Sequence, residues 1–103
     1  MEISYQSHES MRALVMLGVQ GHFPLFLDAW IKDPIIKEKR FSKITGIERA
    51  KVKKLFLKVS KYRNLEHKKI ALLSMSDEER NLFIKAFFKL VEGKILDQKP
   101  ELH

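Results

Sequence analysis

The segment that most restricts the fold is Ser76-Asp77-Glu78-Glu79 followed by Leu82, Phe83, Ala86, Phe87 and Leu90. A serine three residues before a glutamate satisfies orphan N–H groups at a helix start. The neighbouring carboxylates favour the positive end of the helix dipole. The apolar residues then recur at the 3.6-residue period of a helix with one buried side. A second segment repeats the pattern, with Val52, Leu55, Phe56, Val59 and Tyr62 forming another stripe. With only 4 glycines and 3 prolines in 103 residues, little interrupts such helices. The chain is expected to be all-α, with about five helices in a single helical domain over 1–93 and a frayed tail over 94–103.

The remaining elements follow from their end signals. Ser7 is expected to cap a first helix running to Gln20 and stopped by Gly21, with Met11, Leu14, Val15, Leu17 and Val19 apolar. Pro24 is expected in the first turn of a short second helix containing Leu25, Phe26, Leu27, Trp30 and Ile31. Asp33-Pro34 pairs a capping carboxylate with a residue preset for the first helical position. It is expected to open a third helix ending near Ile44. A fourth runs from about Ile47 to Tyr62, and the last from Ser76 to Gly93. Residues 64–73 fit either a helical turn or a short strand. In the second case Lys69–Leu73 would pair with an N-terminal strand at Ile3–Tyr5.

Charge is concentrated in the middle. Residues 32–69 hold 14 Lys/Arg and 4 Asp/Glu, a net of +10, whereas the whole chain carries +7. A local positive face attracts polyanions, although solvated lysines also serve solubility alone. No cysteine is present, which excludes disulfides, thiolate nucleophiles and Cys-rich zinc sites. No apolar run approaches the roughly 20 residues that span a bilayer. Met1–Tyr5 lacks the basic and apolar regions of a signal peptide. A cytoplasmic location is expected.

Within residues 34–62, Ser42, Gly46, Ile47, Val52 and Leu55 have a distinctive spacing. The segment, about 25 residues of the chain, resembles a helix-turn-helix DNA-binding motif at the superfamily level. The resemblance implies that Gly46 makes a left-handed turn, and that Ser42, Ile47, Val52 and Leu55 form the interior of the motif. It places Glu48, Arg49, Ala50, Lys53, Lys54 and Leu57 on the face of a recognition helix. Arg49, Lys53 and Lys54 would meet base edges, and Lys51, Lys58, Lys61 and Lys43 would meet phosphates. Glu48 stands where many such motifs have Ser or Thr. Duplex DNA is the expected partner and transcriptional regulation the expected role.

The last helix carries a second apolar set, Ile84, Phe88 and Val91, on another side. This set is expected either to meet a second copy in a homodimer or to complete the core. The opening Ser76–Arg80 is similar to the dimerisation helix of MarR-type regulators. The chain departs from that family in having too few residues before Ser76 for a hairpin wing. Two other partners stay open: an acidic protein docked on the Phe-rich last helix, as for an adaptor, or RNA. Exposed aromatics for base stacking are scarce in the basic segment. His8, His22, His67 and His103 are scattered without metal-ligand spacing, and no phosphate-binding glycine loop occurs. No catalytic residue, metal or cofactor is expected, and the chain is read as not an enzyme.

Overall fold

The computed structural model describes residues 10–34, 36 and 42–97. Among these residues five helices and no strand occur: α1 (Met11–Val19), α2 (Asp28–Lys32), α3 (Gly46–Ser60), α4 (Leu65–Leu73) and α5 (Asp77–Asp97). The fold is all-α, as the periodicity indicates. Residues 64–73 resolve in favour of the helix, because the Asn64 side chain accepts from His67 N at 2.8 Å and starts α4. The strand considered at residues 3–5 lies outside the described residues, as do Ser7 and most of the helix expected from Pro34 to Ile44.

Local chemistry sets the other boundaries. Ser10 rather than Ser7 caps α1, its hydroxyl oxygen accepting from Ala13 N at 3.1 Å. α1 ends where expected. Gly21 has φ +84°, its N–H donates to Gly18 O at 2.9 Å, and His22 N donates to Leu17 O at 3.0 Å. Those two bonds make a Schellman stop, for which the left-handed residue is usually glycine. Pro24 lies before α2, which begins at Asp28 after Leu27. α5 does not stop at Gly93 but continues to Asp97, so residues 94–97 are helical. Ile95 packs against the core, a gain that offsets the roughly 1 kcal/mol penalty of glycine inside a helix.

α5 is the centre of the fold, packed against α1 on one side and α3 on another, with α4 against α3. Six consecutive residues, Phe83 to Phe88, are buried. The Phe87 ring meets Phe26 edge-on with centroids 4.9 Å apart, and Phe88 lies 4.9 Å from Phe23. Phe56 of α3 approaches Phe83 to 4.5 Å. Gly18 explains how α1 comes so near α5. A Cβ there would stand 2.8 Å from Val91 Cγ2 and 2.9 Å from the Phe23 ring.

Ile84, Phe88 and Val91, open in the sequence to either a second copy or the core, complete the core and so do not serve as a dimer face. α5 needs both its apolar sides because α1 and α3 approach it from different directions. Trp30 is half-buried, with the Arg80 guanidinium 4.9 Å from its ring centroid. Arg80 also donates to the Leu72 and Met75 carbonyls at 3.3 Å and pairs with Asp77 at 2.6 Å. It thus ties the turn between α4 and α5 to α2.

Candidate nucleic-acid interface

Thr45 and Glu48 position the basic helix. Thr45 Oγ1 accepts from Glu48 N at 3.1 Å, and Glu48 Oε1 accepts from Thr45 N at 3.0 Å. This reciprocal box starts α3 at Gly46. Glu48 is further held by Lys85 Nζ at 3.6 Å, and that buried ammonium donates to Lys43 O at 3.1 Å. The Thr45 backbone N–H and, less strongly, the Lys85 charge keep the Glu48 carboxyl below its ordinary pKa. Glu48 is therefore occupied in starting the helix and anchoring it to α5, not turned outward toward bases.

The helix-turn-helix expectation changes at three residues, Gly46, Ile47 and Ser42. Gly46 is the first residue of α3 and has no left-handed φ; Gly21 alone does among the described glycines. Thr45 enters the helix from an extended conformation, φ −74° and ψ 169°, and residues 42–45 are not helical. Ile47, expected inside the motif, is 76% exposed. Ser42 is exposed, Val52 is half-buried and Leu55 is buried. Leu55 and Val59 are the two buried residues of α3.

Every cation assigned to DNA is exposed: Lys43, Arg49, Lys51, Lys53, Lys54, Lys58 and Lys61. At 100° per residue, Gly46, Ala50, Lys53, Lys54, Leu57 and Lys61 form the ridge opposite Leu55 and Val59. The ion pairs found among the described residues are Arg80–Asp77 and Lys85–Glu48, so none of these seven cations is in one. Lys61 Nζ lies 5.8 Å from the Tyr62 ring centroid.

The cations do not form one uniform patch. Lys51 and Lys54 share a cleft of about 450 Å³ with Glu78 and Glu79 at the start of α5. Arg49 and Lys53 border the opposite flank, an apolar groove of about 560 Å³ to which α5 adds Lys89. That groove was not legible in the sequence, because it joins residues of α3 to Ala86 and Leu90 of α5 and to Met11. The one available signal was Leu57, apolar on a basic ridge and 63% exposed.

No group of three or more His, Asp or Glu side chains that could hold a metal occurs among the described residues. No helix among them is long and apolar enough to cross a membrane. The chain matches no family model, no curated protein and no solved structure.

Proposed function

We propose that this protein binds duplex DNA through α3, as a small basic regulator of the cytoplasm and not as an enzyme. The observation that supports this reading is the α3 ridge. It carries Lys53, Lys54 and Lys61, none of them in an ion pair found among the described residues, and two small residues, Gly46 and Ala50, that let a backbone approach closely. Cations already engaged in ion pairs would gain little from phosphate; these are available to it. Arg49, Lys53 and Lys54 face the groove edge in this reading, and Lys43, Lys51, Lys58 and Lys61 reach phosphates. The buried state of Ile84, Phe88 and Val91 removes the homodimer face expected from sequence, and the proposal needs no second copy.

The test is recovery from a random-duplex library near physiological salt, followed by a salt titration of the recovered sequences. Binding should weaken steeply with salt, by about 0.9 in the log–log slope for each phosphate contact. The double substitution Lys53→Ala, Lys54→Ala should lower affinity by tenfold or more, at roughly 1.4 kcal/mol per tenfold, with the helical circular dichroism unchanged. Equal affinity of the double variant and the parent would overturn the assignment of α3.

A further inference from the structure

We propose that the groove between α3 and α5 is a docking site for an acidic amphipathic helix of another protein, a second function that shares Arg49 and Lys53 with the DNA-binding face and adds the α5 side of the groove to it. Its floor is apolar: Met11, Val52, Phe56 and Leu57, with Ala86 and Leu90 across from them. Leu57 and Leu90 are large apolar side chains left exposed, Leu90 by 47%. The rim is cationic, with Arg49 and Lys53 on α3 and Lys89 on α5, and no Asp or Glu lines the groove among the described residues. None of the three rim cations belongs to an ion pair found among those residues.

The dimensions suit a helix. Arg49 to Ser60 on α3 measures about 16 Å at 1.5 Å per residue, room for three turns of a guest. A guest presenting Leu, Ile or Phe at i, i+3 or i+4 and i+7 fills such a floor. Flanking Glu or Asp then meets the rim, where complementary charge adds rate and selectivity. A second copy of this chain is disfavoured. A two-fold contact through this face would set Arg49, Lys53 and Lys89 of each copy against the same cations of the other.

The test uses the full chain against a displayed library of helix-forming peptides of about 18 residues, long enough to hold a helix. The expected pool is rich in Asp and Glu and carries the i, i+3/i+4, i+7 apolar pattern. Leu90→Glu and Lys89→Glu should each weaken the selected peptides by about tenfold, or 1.4 kcal/mol. Both sites lie on α5 away from the α3 ridge, and thermal unfolding of each variant confirms that it is folded. Lys54→Ala, outside this groove, should leave peptide binding unchanged. Duplex binding that falls in Lys54→Ala while peptide binding persists supports a distinct peptide site on the α5 side of the groove; failure of duplex binding in the parent with peptide binding intact would overturn the DNA reading and leave this one standing. The proposal is overturned by a pool without acidic residues or by one indifferent to Leu90→Glu. It is also overturned if no peptide is enriched, including the case where oleate is retained instead and the groove takes an anionic amphiphile.

Discussion

α3 and α5 are both long helices with apolar stripes, yet they use them oppositely. α5 is buried without interruption from Phe83 to Phe88, while α3 buries Leu55 and Val59 and exposes nearly all its charge. Stability therefore resides in α5 and its aromatic neighbours. The cations of α3 are nearly irrelevant to folding. Surface charges outside such networks usually change stability by less than about 0.5 kcal/mol. A helix that the fold holds by one side, through Leu55, Val59 and the partly buried Phe56, has its remaining faces open to a partner, which is the physical basis for reading function there.

The sharpest way to break this contrast is Phe87→Ala. Phe87 is 1% exposed and touches Phe26, Phe23 and Phe83. Its removal should cost about 3–5 kcal/mol, read as a fall in the urea midpoint. Lys58→Ala on α3 should shift the same midpoint by no more than about 0.5 kcal/mol. Comparable losses for the two would mean that α3 charge is structural after all.

Gly18→Ala comes next. Its added methyl would meet Val91 and Phe23 at under 3 Å, so α1 must move away from α5 or those side chains must leave their places. The expected loss is about 1–3 kcal/mol by overpacking, despite the better helix propensity of alanine. Combining it with Val91→Ala should recover part of the loss relative to the sum of the two single changes, a double-mutant test of direct contact. Strict additivity would show that the two sites are not coupled.

The start of α3 gives a smaller and pH-dependent effect. Thr45→Ala removes the cap and should cost about 1 kcal/mol. Glu48, held below its ordinary pKa by the Thr45 N–H and Lys85, binds protons more weakly folded than unfolded. Its contribution is complete above the ordinary carboxylate range and is lost as pH falls through its lowered value. Glu48→Gln should therefore lower stability near neutral pH and flatten this part of the acid limb of the stability curve. An acid limb identical to that of the parent would mean that neither the Thr45 N–H nor Lys85 favours the Glu48 carboxylate in the folded chain.

The helices were legible because their signals are local. The Ser76–Glu79 box and the 3.6-residue stripes of α3 and α5 need nothing beyond their own segments. The errors arose where distant residues decide. Gly93 reads as a stop until Ile95 is seen packing against the core. Ile84, Phe88 and Val91 fit a partner face as well as the core until both α1 and α3 are placed on α5. Lys68, 1% exposed, reads as one more surface lysine, yet its ammonium donates to the Tyr62 carbonyl. Lys85 likewise reaches the Lys43 carbonyl, 42 residues away in sequence. The exposed cations of α3 were legible as charges. Their division between an acid-bordered cleft and an apolar groove depends on α5 and was not.

Gly46 carries the smallest predicted effect and the one that bears most directly on the helix-turn-helix resemblance. A glycine that makes a left-handed turn resists substitution, because a Cβ there costs about 1 kcal/mol or more. Gly46 has an ordinary helical start instead, and a Cβ on it meets nothing within 4 Å. Gly46→Ala should thus be neutral or stabilise by up to about 1 kcal/mol, through a smaller entropy loss on folding. Its sign is opposite to that at Gly18, although both residues are glycines in helices. On duplex binding the same change is informative in the other direction. If Gly46 serves close approach of α3 to a DNA backbone, alanine should weaken binding while stability holds or rises. A loss of stability at Gly46 would restore the turn of the motif; a gain of stability with unaltered binding would leave DNA recognition to the lysines alone.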